Sequence, residues 1–195
     1  MPRPVSVAIT GGIGAGKSEA LQAFRKAGAA TVSSDEIVHH LLRSNEDVKR
    51  AIVGELGDGV LDEDGVIDRG RVGAIVFGDR AKLDFLEGLL HPLVSAEYLH
   101  WRDQLGELPN PPQVCVTEVP LLYETGGDER FDKVVVITAP AKLREQRRRV
   151  TRDDRDQRLL PDKEKVKRAD FAYVNTGTLD ELDGWVAGVM RELTR

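Results

Sequence analysis

An α/β fold is predicted, with helices on both faces of a parallel sheet of five strands. Three observations predict it. Short apolar, β-branched runs recur along the chain, amphipathic helical stretches separate them, and the first run ends in a cluster of glycines. A helix between two strands returns the chain to the same end of a sheet, so alternating elements imply parallel pairing with both faces covered. With 195 residues, 41% of them hydrophobic, the chain can bury one domain core, and extra segments are expected as lobes on that core.

The elements follow in order. Val5 to Thr10 is apolar and β-branched and reads as a buried first strand. A helix is expected from Lys17, because Ala20, Leu21, Phe24 and Ala27 recur at helical spacing, and Gly28 stands where a C-terminal cap belongs. Ala29 to Val32 is the second strand. Ser33-Ser34-Asp35-Glu36 has the form of a capping box, which places Asp35 at a strand-to-helix junction. From Glu46 to Leu105 the pattern is helical, with one apolar stripe of Val48, Ala51, Ile52 and Leu56, another of Val72, Ile75 and Val76, and a turn-rich break around Asp62 to Gly65. Pro92 predicts a kink or a fresh start in the helix that covers Leu83 to Leu105. Pro109-Asn110-Pro111-Pro112 is a stiff linker. Val114 to Val119 and Val134 to Thr138 are further buried strands, the second followed by Pro140 at a helix start, and Phe171 to Val174 is the fifth. Leu182, Trp185, Val186, Val189, Met190 and Leu193 keep the helical period to the end.

Composition removes several classes of function. The formal charge of -5 argues against nucleic acid as the ligand, since the basic cluster at Arg144 to Arg152 is too short to outweigh the acidic remainder. Cys115 is the single cysteine, so no intrachain disulfide and no Cys/His zinc site are expected, and the cytoplasm fits best. A monomer is expected. There is no signal-peptide pattern and no apolar run long enough to cross a bilayer.

The glycine cluster carries the chemistry. Gly11-Gly12-Ile13-Gly14-Ala15-Gly16-Lys17-Ser18 matches G-x-x-x-x-G-K-[ST], the P-loop pattern, with a strand before it and a helix after it. Glycine lets the backbone approach phosphates, and successive amides with the helix N-terminus present partial positive charge. The amides of Gly12, Ile13, Gly14, Ala15 and Gly16 are therefore expected to cradle ATP, with Lys17 on the β- and γ-phosphates and Ser18 on Mg²⁺. The core is thus expected to be a three-layer P-loop NTPase. An Asn-Lys-x-Asp stretch for guanine is absent.

Further motifs follow at particular spacings: Ser34-Asp35-Glu36-Ile37-Val38, Asp68-Arg69, Ile75-Val76-Phe77, Leu89-Leu90-His91-Pro92-Leu93, Val119-Pro120-Leu121-Leu122-Tyr123-Glu124 and Ala169-Asp170-Phe171. With these in this order, the chain resembles the dephospho-coenzyme A kinase family along nearly its whole length. The resemblance implies phosphorylation of the ribose 3′-hydroxyl of dephospho-CoA by ATP. It also implies a nucleotide-binding core, a helical substrate lobe at about 46–105 and a lid over the phosphates at about 144–161. Two departures stand out: the segment between Arg152 and Asp170 is shorter than the family's lid, and the family's Ile-Asp-Asn is here Tyr173-Val174-Asn175. The asparagine remains, so Asn175 is carried over as an adenine contact.

Asp35 is the candidate general base, since a carboxylate at the edge of the second strand can face the substrate crevice; the bland alternative is a helix N-terminal acid that steadies the dipole. Arg148 and Arg152 lie one helical turn apart and can address the same phosphates. Five of nine residues from Arg144 to Arg152 are arginine, which favours function over a solvated basic face, but the register leaves open which of them acts. Arg69, His91 and Leu121 are taken to the substrate side. For His91, fixing the chain beside Pro92 is an equal alternative, and for Arg69 a neighbouring acid is. Glu118 and Glu124 flank the Pro-Leu-Leu segment and either order Mg²⁺-bound water or are solvated strand-end acids. The rivals to dephospho-CoA as acceptor are the substrates of the nucleoside-monophosphate kinase type, and a module that binds ATP without transfer.

Overall fold

A computed structural model gives the fold and describes residues 3–147 and 159–195. The chain divides into two compact units, Ser34–His100 and the remainder. In the larger unit, β1 (Val5–Thr10), β2 (Ala30–Ser33), β3 (Val114–Glu118), β4 (Lys133–Thr138) and β5 (Phe171–Val174) form a five-stranded sheet in the order β2-β3-β1-β4-β5. Every pairing is parallel, as predicted.

The period-two alternation of β1 assigns the two faces. Val7 and Ile9 join Val114, Val116, Val135 and Ile137 in one core, packed against α1 (Lys17–Lys26) and the final helix α8 (Leu179–Leu193) through Leu21, Phe24, Leu182 and Val186. Ala8 faces the other way and packs with Leu122, Tyr123, Val134 and Val136. Each large apolar side chain buried in this way contributes about 1.5–3 kcal/mol relative to exposure. Ser6 and Thr10 are the buried polar residues of β1, and the amide and hydroxyl of Ser6 donate to Asp132 at 2.9 and 2.7 Å, which pins the entry of β4 to β1.

The unit Ser34–His100 holds α2 (Ser34–Ser44), α3 (Glu46–Leu56) and α4 (Arg69–Val76), with a turn between α3 and α4 closed by the Leu61–Ile67 bridge. Its core is separate, built from Leu42, Val48, Ile52, Val60, Val72, Val76 and Leu90. Asn45 caps α3 and Asp68 caps α4, each accepting two backbone amides.

A fresh helix start at Pro92 is not found. α5 (Arg80–Gly106) is one helix of 27 residues with Pro92 inside it. The ring loses the amide that would bond to Gly88, a penalty of about 3 kcal/mol. Leu86, Leu89 and Leu90 before the proline and Leu93 after it pack into the same core, and their burial outweighs the break. Two short helices complete the described chain, α6 (Ala141–Arg147) and α7 (Asp162–Arg168).

Candidate active site

The site is assembled where β1 ends. The backbone bonds Val119 N–H to Ile9 C=O at 2.9 Å, and the Thr10 hydroxyl donates to Pro120 C=O at 3.2 Å, so the Pro-Leu-Leu segment and the phosphate loop leave the same edge of the sheet. The loop then turns into α1 through Gly16, whose φ of 96° lies in the left-handed region that glycine adopts without strain. The Lys17 ammonium donates back across the loop to Gly12 C=O at 3.2 Å.

Asn175, just past β5, holds the loop from the opposite side. It is 94% buried by its neighbours, its exposure being 6%. Its backbone amide donates to Thr138 C=O at 2.7 Å, and its side-chain amide donates to Ala15 C=O at 3.0 Å, joining residues 160 apart in sequence. A side chain on Gly16 would collide with this amide, so glycine at this position serves the asparagine as well as the turn.

A cavity of about 620 Å³ opens beside the loop. Gly14, Gly16, Lys17 and Ser18 form one wall, and Arg147, Asn175 and the stretch Gly177-Thr178-Leu179 form the other. Arg147 also donates to Asn175 C=O at 3.4 Å. Thr178 is the N-cap of α8 in a full capping box with Glu181, which fixes the rim. Leu179 is exposed at 61%, an apolar side chain available on the rim for a planar base.

Of the residues proposed from the sequence, Gly14, Gly16, Lys17, Ser18 and Asn175 are brought together in this cavity, and Gly12, Ile13 and Ala15 complete the loop. Leu121 is half-buried in the same unit, with its carbonyl taking the Thr125 amide. Asp35 lies in the first turn of α2, two positions beyond the end of β2. Arg69 is exposed at the start of α4, without an ion pair among the described residues, and His91 is exposed on α5. Arg148 and Arg152 fall outside the described residues.

Glu124 differs from the reading of a solvated strand-end acid. Its side chain is 11% exposed and lies 2.8 Å from the ammonium of Lys165, which is fully buried, and it accepts the Leu160 amide at 2.8 Å. Asp170, in the Ala-Asp-Phe motif, is likewise structural. Burial alone would raise its pKa, but the Lys133 ammonium and the Val134 amide, both at 2.8 Å, bring it below the ordinary carboxylate value. Arg147 and the 177–179 stretch were not singled out from the sequence. The signals existed: Arg147 belongs to the basic cluster, and Thr178-x-x-Glu181 is a readable capping box.

A sequence model of the dephospho-CoA kinase family matches residues 5–181. The chain belongs to that family. It is 35% identical to the dephospho-CoA kinase of Aquifex aeolicus over 195 residues, covering 97% of each chain. It is 39% identical to that of Mesorhizobium japonicum over 183 residues, covering 89% of this chain and 88% of the relative. The solved dephospho-CoA kinase from Campylobacter jejuni superposes with a TM-score of 0.69 at 26% identity, covering 96% of both chains. The three-layer P-loop fold of this dephospho-CoA kinase family member accounts for the parallel sheet with helices on both faces, and for the phosphate loop at the end of its central strand.

Proposed function

We propose that this chain transfers the γ-phosphoryl group of ATP to the ribose 3′-hydroxyl of dephospho-CoA, giving coenzyme A and ADP. The observation that carries the reading is the phosphate-loop cavity in a chain that matches dephospho-CoA kinases over nearly its whole length. The loop amides and Lys17 hold the phosphates of ATP, and the Arg147 side of the cavity, with Leu179 on its rim, takes the nucleoside. Asn175 keeps the loop in shape and stands beside the adenine.

The donor set fits Mg²⁺. Ser18 is exposed at the second position of α1 and faces the cavity, and no group of three or more His, Cys, Asp or Glu side chains that could hold a metal occurs among the described residues. Ser18 would hold the ion together with phosphate oxygens of the nucleotide and water. When bound, Mg²⁺ neutralises charge on the β- and γ-phosphate oxygens.

Asp35 accepts the proton of the 3′-hydroxyl as the new oxygen–phosphorus bond forms and the bond to the β-phosphate breaks. The helical stretch at about 46–105 is the substrate lobe, with Arg69, His91 and Leu121 on the acceptor side. Arg148 and Arg152 are assigned to the transferring phosphate. Transfer of this kind rests on positioning and charge neutralisation, so few side chains are needed. The setting is the cytoplasm and the working unit a monomer; no helix of the described chain is long and apolar enough to cross a membrane.

The test is to incubate purified protein with Mg-ATP and dephospho-CoA and to look for coenzyme A by mass, beside a panel of nucleosides and nucleoside monophosphates with ADP release as readout. Coenzyme A formed in preference to every other product supports the assignment. Phosphorylation of a nucleoside monophosphate instead, or ATP binding without any transfer, overturns it.

A further inference from the structure

The phosphate loop carries an ion pair that its sequence pattern does not require. Arg144, on α6, extends its guanidinium over the loop and lies 3.4 Å from the carboxylate of Asp162, the first residue of α7. A side chain on Gly12 would collide with Nη1 of Arg144 and would stand 3.2 Å from Oδ1 of Asp162. One on Gly14 would stand 2.7 Å from the Arg144 carbonyl oxygen. The glycines at these two positions therefore make room for the arginine as well as for phosphate. The Lys17 ammonium reaches the same place from inside the loop, bonding the Gly12 carbonyl. Two cations thus converge on one loop residue, and an acid at the start of α7 stands beside one of them.

An acid at this spot is unfavourable for a phosphate unless something neutralises it. Arg144 neutralises it and retains unused donor capacity: its Nε is buried without a hydrogen-bond acceptor among the described residues. Arg144 and Asp162 are about equally shielded, at 25% and 24% exposure, so water screens the pair only in part. The Asp162 end is anchored, because Leu160 donates to Glu124 and Lys165 pairs with the same carboxylate. The long, flexible arginine side chain is the partner able to move. Phosphate offers a guanidinium the same two-oxygen face as a carboxylate, with more charge.

We propose that Arg144 is a phosphate contact of this nucleotide site and that Asp162 is its exchangeable counter-ion, so that a bound phosphate takes the guanidinium over from the carboxylate. The inference rests on the reading of the loop as an ATP site. It assigns opposite roles to two residues of one ion pair: Arg144 favours nucleotide, and Asp162 competes with it.

The experiment is an equilibrium titration of the full chain with ATP, with a thermal melt of each variant. Arg144→Ala is expected to weaken ATP by about tenfold or more, and Arg144→Lys by less, since the charge stays and the fork is lost. Asp162→Asn is expected to tighten ATP by about threefold, because the competitor for the guanidinium is gone. Arg144→Ala/Asp162→Asn is expected to bind ATP better than Arg144→Ala alone, since the uncompensated acid has been removed. A static brace between α6 and α7 predicts the reverse pattern: both single substitutions lower Tm and weaken ATP alike, and the double variant recovers nothing. That pattern overturns the proposal, as does an Arg144→Ala variant with wild-type affinity. Should Arg144→Ala fail to fold, Asp162→Asn and Arg144→Lys still decide, because the exchange requires their shifts to be of opposite sign. Loss of binding in Lys17→Ala, against a wild-type chain that binds ATP, tests the loop reading separately; a wild-type chain without ATP affinity overturns that reading and the exchange with it.

Discussion

Removing the carboxylate of Glu124 exposes what the buried pair does for the larger unit. Lys165 is fully buried, Glu124 is 11% exposed, and their charged atoms are 2.8 Å apart. The contact is coulombic: the ammonium makes no angularly aligned hydrogen bond among the described residues. Glu124→Ala leaves that ammonium without a counter-charge in a place water does not reach, which costs about 3–5 kcal/mol. It also strips the Leu160 amide of its acceptor, adding about 1 kcal/mol. The sum, about 4–6 kcal/mol, is a large part of a total stability of about 5–15 kcal/mol. For a chain of this size each kcal/mol moves Tm by about 2–4 °C, so a fall of roughly 8–24 °C is expected. Lys165→Met should lie at the low end of the range for a broken pair, about 3 kcal/mol, because the remaining carboxylate keeps the Leu160 amide and some exposure. The double variant Glu124→Leu/Lys165→Met should be more stable than Glu124→Ala, since neither charge is left uncompensated. Urea unfolding monitored by circular dichroism, with a thermal scan, measures all three. A Glu124→Ala variant within about 1 kcal/mol of wild type, or a double variant as unstable as the sum of the singles, would refute the reasoning.

Three other outcomes are expected. Asp35→Asn should lower kcat by about 10²–10⁴ with little change in ATP affinity, measured by coenzyme A formation and by ATP titration; a change confined to ATP affinity removes the base assignment. Burial pushes the Cys115 thiol up to about 11, and the side chain is 2% exposed, so a thiol reagent at about pH 8 should label it only as fast as the protein unfolds. Rapid labelling of the native chain contradicts the burial. At Asp132, burial alone would raise the pKa, but the Ser6 amide and hydroxyl, with Arg3 and Arg102, bring it below the ordinary value. Its contribution is therefore complete above the unfolded carboxyl pKa of about 3.9 and is lost as pH falls through the lower folded value. The stability difference between wild type and Asp132→Asn should shrink in that acid window, and a difference independent of pH contradicts this.

The fold was legible in the sequence to the extent that its signals are local. The strands β1, β3, β4 and β5 show as short apolar runs, β2 begins one residue later than the pattern suggests, and the helices show as apolar stripes. Pro92 left a kink and a fresh start both open, and the fresh start is ruled out by tertiary packing, because proline geometry acts within a turn while the leucines on both sides of it act through a core assembled from α2, α3, α4 and α5. At Glu124 the solvated alternative fails for a similar reason. Four residues around it say only that a strand has ended, and the ammonium that buries it comes from α7.

The sequence by itself determined the parallel sheet, the phosphate loop and its lysine and serine, because strand period, glycine conformation and a helix start are properties of a few neighbouring residues. Tertiary structure decided that Asn175 clasps the loop at Ala15, that Arg147 and residues 177–179 form the second wall of the cavity, and that Arg144 meets Asp162 above Gly12. Those contacts depend on the order β2-β3-β1-β4-β5, which places β4 between β1 and β5 and so brings the segments after β4 and β5 to the loop that follows β1. Pairing across such crossovers is a matter of which surfaces the packed sheet brings within a few ångströms, and spacing along the chain carries no record of it.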